Sequence, residues 1–220
     1  MSADPLAKGA DEEIIGIPRE LALPAGAWTG LRAFSSPEEG EHEITRLDQV
    51  AQPRPRRELE LDPSWKQPIP YAVALYRPEG APARDTQLFW MDRLAGGSDK
   101  RLHGRASFGV GGHISPNDGG VRAALAREWV EEVATPTLPA FAPIGLLNDD
   151  GDDVGRVHLG IVFIATLTSP DIHIRETHKL AGSLVPVSEA LRRKGELEGW
   201  SARLIDTIAK VAASFLSPRC

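Results

Sequence analysis

Short apolar runs, broken by proline- and glycine-rich stretches, predict a sheet that begins near Ile69. Residues 71–76 and 87–91 are β-prone and flank a Pro/Gly-rich stretch, which predicts two antiparallel strands joined by a hairpin loop. Residues 157–167 are almost continuously apolar, as expected of a strand buried on both faces. Further strands are predicted at residues 108–114, 141–147, 172–174 and 183–187.

The N-terminal part of the chain is less regular. Residues 14–17 are an apolar run that ends at a proline, which predicts a short edge strand. Residues 34–66 are rich in charge and proline, so we expect mostly a surface connection with one short helix near residues 44–50. We therefore divide the chain into an N-terminal extension, residues 1–66, that packs on a core domain, residues 67–220.

Two segments have apolar residues at helical spacing. The first predicted helix runs from residue 121 to about 133, where prolines follow, and its apolar face contains Val121, Leu125, Trp129 and Val133. The second is a C-terminal amphipathic helix whose stripe contains Leu197, Trp200, Leu204, Ile208, Val211 and Phe215. Helices packed against a mixed sheet place the chain in the α/β class.

Three carboxylates share one face of the first helix. Glu128, Glu131 and Glu132 are spaced i, i+3 and i+4, so their like charges lie one turn apart and repel each other. A hard divalent cation such as Mg²⁺, or alternatively Mn²⁺, takes oxygen ligands and offsets that repulsion. Gly111 and Gly112 precede the helix at a strand end, where backbone groups can approach a metal or phosphate.

This arrangement resembles the Nudix box. Gly112 is followed, after a short loop, by Arg-Glu-apolar-x-Glu-Glu at residues 127–132, similar to the family form G-x5-E-x7-R-E-U-x-E-E-x-G-U, where U is apolar. A closer likeness is to an uncharacterised bacterial branch of predicted phosphoesterases. It rests on residues 63–67, 100–104, 109–114 and 155–160. The resemblance implies a Nudix-type α/β/α sandwich and a MutT-like pyrophosphohydrolase or phosphoesterase.

The resemblance also implies roles for individual residues. The implied metal ligands are Glu128, Glu131, Glu132 and the carbonyl of Gly112. Arg127 would orient Glu131, which lies four residues later. Glu128 is one candidate general base, and Glu176 in a late loop is another; the sequence does not decide between them. The implied chemistry is metal-assisted attack of water on phosphorus.

Substrate contacts are predicted from residue type alone. The cations placed to meet phosphates are Arg101, Arg105 and Lys179, and the aromatic residues that would stack on a base are Trp65, Trp90 and Phe108. The expected partner is a small molecule that contains phosphate.

Other clusters have more ordinary interpretations. The acidic residues of the loop 148–153 lack the spacing of a calcium loop, so a plain hairpin turn is favoured. His103, His113 and His158 do not show the paired spacing of a zinc site, so roles in the core or beside the site are favoured over catalysis. The cluster Arg54–Arg57 is predicted to be a solvated surface.

Charge and cysteine content limit the function further. The net charge of −6 argues against a nucleic-acid polymer or an anionic membrane as the partner. Cys220 is the only cysteine, which excludes an intramolecular disulfide and favours a reducing compartment. With neither a signal-like start nor a membrane-spanning run, the expected location is the cytoplasm. The N-terminal segment is also a candidate dimer arm.

The primary hypothesis is therefore an enzyme that hydrolyses a phosphoanhydride bond in a nucleoside diphosphate-linked small molecule. The alternative is a Nudix-fold sensor that binds a nucleotide without turnover. It stays open because Asp118 stands near the place of the early box glutamate, in a loop one residue longer than usual, and Ala134 replaces the late glycine. An isoprenyl diphosphate isomerase is disfavoured, because such enzymes use a cysteine and this chain has none inside it.

Overall fold

The computed structural model describes residues 12–94, 105–175, 177–178 and 180–214. Its strands are β1 (Glu13–Pro18), β2 (Gly30–Ala33), β3 (Gln52–Pro55), β4 (Trp65–Tyr76), β5 (Gln87–Arg93), β6 (Ala106–Ser107), β7 (Gly109–Val110), β8 (Val133–Ala134), β9 (Ala140–Asn148), β10 (His158–Leu167), β11 (His173–Ile174) and β12 (Leu180–Pro186). Its α-helices are α1 (Arg19–Ala22), α2 (Pro37–Val50), α3 (Arg56–Leu59), α4 (Val121–Glu132), α5 (Asp153–Val157), α6 (Val187–Arg192) and α7 (Gly199–Ser214). Two 3₁₀ turns, Ala83–Asp85 and Lys194–Glu196, are also present.

The chain forms two compact units that alternate along the sequence. Unit 1 contains the described residues of Met1–Tyr71, Gly111–Arg127 and Pro143–Val162, and unit 2 contains those of Ala72–Val110, Glu128–Ala142 and Phe163–Cys220. The boundaries of these ranges fall within β4, α4, β9 and β10. In the sheet order, β10 lies between β4 and β9.

Unit 1 is more ordered in its N-terminal part than the sequence predicts. Strand β1 confirms the strand predicted at residues 14–17, and it pairs antiparallel with both β3 and β4. The prediction of a mostly surface connection over residues 34–66 is wrong, because α2 has 14 residues and buries Ile44 and Leu47. Its start is capped by Ser36, whose hydroxyl accepts from the Glu39 amide. Because α2 has few apolar residues among many charged ones, its sequence pattern does not predict the full helix.

Unit 2 is built around β5. Strand β12 pairs with it along its whole length, and β4 pairs with it at Leu75 and Leu88, which confirms the predicted antiparallel hairpin. Strands β8 and β11 form a separate two-stranded ladder. Helix α7 covers the predicted C-terminal helix and buries Leu204 and Ile208.

Together these elements confirm a mixed α/β fold with a mixed sheet. The strand predicted at residues 108–114 is shorter, since only Gly109–Val110 pair. Among the described helices, none has both the length and the hydropathy needed to span a bilayer.

Candidate functional site

Helix α4 carries the three glutamates and buries its large apolar residues. Leu125 and Trp129 are fully buried, as the sequence predicts. Glu131 is exposed, whereas Glu128 and Glu132 are half-buried. Because α4 is helical from Val121 to Glu132, the i, i+3, i+4 spacing of the three carboxylates is realised on one helix face.

Asp48 of α2 fixes the start of α4. Its carboxylate accepts a hydrogen bond from the Val121 amide at 3.0 Å, the position of an N-cap supplied by another element. Burial raises the pKa of Asp48, although the bond from Val121 acts in the opposite direction. The chain bends sharply just before the helix at Gly120, where φ is +110° and a Cβ would lie 2.8 Å from the Asp48 carboxylate. Glycine is required there by both conformation and space.

Arg127 anchors the loop between β7 and α4. Its Nε and Nη2 donate to the two carboxylate oxygens of Asp118 at 2.7 and 2.9 Å, and Nη2 also donates to the carbonyl of His113 at 3.0 Å. The Arg127 guanidinium lowers the pKa of Asp118, which also accepts from the Ser115 amide. Asp118, noted in the sequence as a displaced acidic residue, is therefore the bidentate partner of Arg127. Whether Arg127 also orients Glu131 stays a prediction.

Gly111 allows the loop to pass very close to β4. A Cβ at this position would lie 1.8 Å from the carbonyl oxygen of Pro70, which no side chain tolerates. The glycine at position 111 is thus explained by a close approach to the β4 backbone, while the predicted approach to a metal or phosphate stays a prediction. The part of Gly112 in metal binding stays a prediction.

Beside this loop, unit 1 contains a pair of histidines, of which His158 is buried and His113 is half-buried. His113 and His158 face each other with their Nε2 atoms 3.3 Å apart. His113 Nε2 also lies 2.8 Å from the amide oxygen of Gln67 and 4.0 Å from a carboxylate oxygen of Glu60. Burial, with smaller contributions from Arg56 and His158, lowers the pKa of His113 to about 3.

His158 is held in one tautomer. Its Nδ1 lies 2.7 Å from the carbonyl of Val154, so Nδ1 carries the proton and Nε2 keeps its lone pair. Burial lowers the pKa of His158, which keeps the ring neutral. The two rings are therefore close neighbours in the fold, although 45 residues separate them in the sequence.

A buried lysine fixes the backbone under this pair. Lys66 is completely buried, and its ammonium donates to the carboxylate of Asp150 at 2.9 Å and to the carbonyls of Gly155 and His158 at 2.8 and 3.1 Å. Desolvation lowers the pKa of Lys66, and Asp150 opposes that shift. Asp150 also binds Arg19.

The acidic loop 148–153 leads into helix α5 and is not the plain hairpin turn that the sequence predicts, and its acidic residues have local structural contacts. Asp150 is the counter-ion of Lys66, Asp149 accepts from the Gly151 amide, and Asp152 caps α5 by accepting from the Gly155 amide at 2.7 Å. Each of these carboxylates thus has a partner within the protein.

The predicted substrate contacts have mixed outcomes. Arg101, Lys179, Glu176 and His103 lie outside the described residues. Arg105 is exposed and donates to the carbonyl of Gly195 at 3.2 Å.

Two of the three aromatic predictions are wrong. Trp90 and Phe108 are fully buried, so neither can stack on a substrate base; Trp90 is covered by the Arg193 guanidinium at 4.5 Å. Trp65 is half-buried under Arg54 at 4.6 Å. Within the arginine cluster at residues 54–57, Arg54 thus contacts the Trp65 ring and forms an ion pair with Glu58.

Sequence reasoning missed Asp48, Glu60 and Gln67. Asp48 and Glu60 lie in the stretch interpreted as a surface connection, where nothing distinguishes them from solvated acids. A signal for Gln67 does exist, since Gln67, His113 and His158 each fall in one of the segments that carry the family likeness, at residues 63–67, 109–114 and 155–160. Their meeting in space requires the fold.

Comparison with known proteins gives close relatives in sequence and structure. No family model matches the chain. Protein YmaB of Bacillus subtilis (strain 168) is 30% identical over 209 residues, which cover 90% of this chain and 98% of YmaB. The crystal structure of Tm1382, described as a candidate Nudix hydrolase, is 27% identical with a TM-score of 0.72 and covers 91% of this chain and 100% of Tm1382.

A more distant structure shares the fold alone. The NUDIX domain of Shewanella oneidensis NrtR, solved in complex with ADP ribose, is 15% identical with a TM-score of 0.50. The match covers 69% of this chain and 89% of that domain.

Proposed function

Because the chain belongs to the Nudix hydrolase superfamily, we propose that it hydrolyses a phosphoanhydride bond in a nucleoside diphosphate-linked small molecule with the help of a divalent cation held by Glu128, Glu131 and Glu132. Membership supports pyrophosphohydrolase chemistry in general. The substrate and the metal are the parts that this proposal adds.

The observation that carries the proposal is the form of α4. It brings Glu128, Glu131 and Glu132 within one turn of each other on a helix whose Leu125 and Trp129 are buried. Like charges at this spacing repel each other, and a bound cation offsets that repulsion. Carboxylate oxygens are the donors that Mg²⁺ and Mn²⁺ prefer, so the donor set fits a hard cation.

Residues outside and within α4 fix the position of this helix and of the loop before it. Asp48 satisfies an amide at the start of α4, and the Arg127–Asp118 pair holds the preceding loop against the helix. Such rigid support keeps catalytic carboxylates in position without reorganisation during the reaction. The bound cation would neutralise phosphate charge and lower the pKa of an attacking water.

The general base remains to be assigned. Glu128 is half-buried on α4, and Glu176 lies outside the described residues. We keep both as candidates, with Arg101, Arg105 and Lys179 as candidate phosphate contacts. A pH profile of kcat for the Gln variant of each glutamate would separate the two, because loss of the base removes the acidic limb of the profile.

The test is a hydrolysis assay with Mg²⁺ and a panel that includes ADP-ribose and nucleoside triphosphates. Glu131→Gln should lower kcat by roughly a hundredfold or more, because it removes part of the several kcal/mol that a bound cation contributes to the transition state. Glu79→Gln is the matched control, since Glu79 is exposed in a loop far along the chain from α4. Its kcat should equal that of the wild type.

The same assay addresses the sensor alternative. A wild-type protein that binds a nucleotide of the panel in calorimetry but releases no phosphate or monophosphate would contradict the proposal and favour the sensor. Turnover that is equally fast in wild type and Glu131→Gln would contradict the assignment of the metal site. In both cases the unfolding midpoint of each variant shows that it is folded.

A further inference from the structure

We propose that Glu60, His113 and His158 form a second metal site, one that takes a transition metal of the Zn²⁺ class. Among the described residues, these three bring one ligand atom each to within 4.8 Å of one another. All three belong to unit 1. The site shares no ligand with the glutamates of α4, and its donors are two imidazole nitrogens and one carboxylate oxygen.

The spacing of the two imidazoles supports this proposal. Zinc binds histidine nitrogen at ~2.0–2.1 Å, so two such ligands on a tetrahedral ion lie about 3.3 Å apart. The Nε2 atoms of His113 and His158 are 3.3 Å apart. The Glu60 oxygen is 4.0 Å from His113 Nε2, which is longer than this spacing, so the Glu60 side chain would move toward the ion on binding.

The tautomer of His158 also suits a metal, whereas His113 Nε2 faces the acceptor atoms Gln67 Oε1 and His158 Nε2 and would release its proton to solvent when the ion binds. His158 Nδ1 donates to the Val154 carbonyl at 2.7 Å, which leaves Nε2 as a lone pair aimed at His113. Metal-bound histidines typically use their other ring nitrogen in this way, which fixes ring orientation and tautomer. Glu60 is similarly supported, because Arg56 donates to its carboxylate at 3.2 Å.

The surroundings hold the two histidines still. The carbonyl of His158 accepts from the buried Lys66, and the carbonyl of His113 accepts from Arg127. A site whose ligands are fixed before binding loses less conformational entropy when the ion arrives. The side chains of His113 and Glu60 remain 21% and 20% exposed, so an ion can enter from solvent.

Gln67, which lies beside the cluster, has a buried amide nitrogen without a hydrogen-bond partner among the described residues. It is completely buried, and its amide oxygen lies 2.8 Å from His113 Nε2. An unpaired buried amide group costs about 1–3 kcal/mol, so such groups are rare in native proteins. A metal-bound water beside Gln67 would supply the missing partner and the fourth ligand.

The donor set selects the class of ion. Imidazole nitrogen suits Zn²⁺ and its spectroscopic substitute Co²⁺, whereas Mg²⁺ and Ca²⁺ prefer sites made of oxygen alone. Three protein ligands with an open fourth position match a zinc site that retains water.

The test is titration of chelator-treated, full-length protein with Zn²⁺ by calorimetry, and with Co²⁺ by visible absorption. The wild type should bind one Zn²⁺ at this site and give the intense d–d bands of tetrahedral cobalt. Glu60→Gln and His113→Asn should each weaken Zn²⁺ binding at least tenfold, because loss of an outer-shell partner alone costs ~10–100-fold and these are direct ligands.

Two control variants show whether the bound ion lies at this cluster. His173→Ala removes an exposed histidine that also contacts a carboxylate, Asp171, so it reports adventitious surface binding and should leave the affinity unchanged. Glu131→Gln should also leave it unchanged, which separates this site from the proposed hydrolytic metal. Thermal unfolding without metal identifies any variant that fails to fold, and Glu60→Gln, at a partly exposed position, is the variant expected to fold normally.

The proposal is overturned if the wild type binds no Zn²⁺, or if Glu60→Gln and His113→Asn, both folded, bind it as tightly as the wild type. It is equally overturned if His173→Ala or Glu131→Gln alone abolishes binding, or if bound Co²⁺ gives only the weak bands of an octahedral site. Failure of the hydrolysis assay would leave all of these outcomes unaffected.

Discussion

Replacement of Lys66 by methionine should destabilise the protein by about 2–4 kcal/mol, because hydrogen bonds from a charged donor contribute about 1.5–3 kcal/mol each and relief of the lysine's own desolvation offsets part of their loss. The Lys66 ammonium is completely buried and donates to two backbone carbonyls, those of Gly155 and His158. The Gly155 carbonyl keeps the His158 amide as a donor, so it is not left without a partner when Lys66 is replaced. Asp150 keeps Arg19 as a partner, so its charge is not left unpaired.

Urea unfolding at neutral pH, followed by tryptophan fluorescence, measures this loss. Arg19→Met is the matched control: it removes the other cation from Asp150, but its side chain is 29% exposed, so we expect a loss of at most about 1 kcal/mol. If Lys66→Met costs less than about 1 kcal/mol, or no more than Arg19→Met, the view that the lysine supports the backbone at His158 is refuted.

Three further predictions concern the loop before α4. Between about pH 5 and about pH 3 the wild type should lose more unfolding free energy than Asp118→Asn. Arg127 lowers the pKa of Asp118, so the stability due to the Asp118 charge is complete above the ordinary pKa and is lost as pH falls through the lowered value. Parallel curves of unfolding free energy against pH for the two proteins would contradict this. Gly111→Ala should cost more than about 3 kcal/mol or prevent folding, since its Cβ would overlap a backbone carbonyl, whereas Gly195→Ala, with open space around it, should be nearly neutral in the same urea assay. Asp48→Ala should cost about 0.5–2 kcal/mol as the loss of a helix cap, and a midpoint equal to that of the wild type would argue against the cap.

The elements predicted well are those with a strong local signal. The periodic apolar face of α4 and the continuous apolar run of β10 each follow from residues close together in sequence, and both are found within a residue or two of the prediction. The sequence predicts too short a helix for α2, because only Gly40, Ile44 and Leu47 are buried in it and most of its other residues are charged or polar. A polar helix that is stabilised by its cap and its tertiary contacts carries little periodicity.

The residues of the candidate sites likewise differ in whether a local sequence pattern predicts them. The glutamates of α4 lie within five residues of one another, so their shared face can be derived from helix geometry alone. The cluster of Glu60, His113 and His158 joins three distant segments, and no spacing rule relates them. Burial likewise decides against Trp90 and Phe108 as stacking residues, because aromatic type alone does not distinguish a core residue from a binding residue.

The alternation of the two units along the chain has a consequence for synthesis on the ribosome. Strand β2 pairs with β9, so Gly30 can form its pair only after Asn148 has left the ribosome. At roughly 5–20 residues per second, that delay is on the order of 6–24 s. During this interval the nascent chain carries an unpaired strand edge, which is the kind of surface that chaperones protect and that neighbouring chains on a polysome can capture.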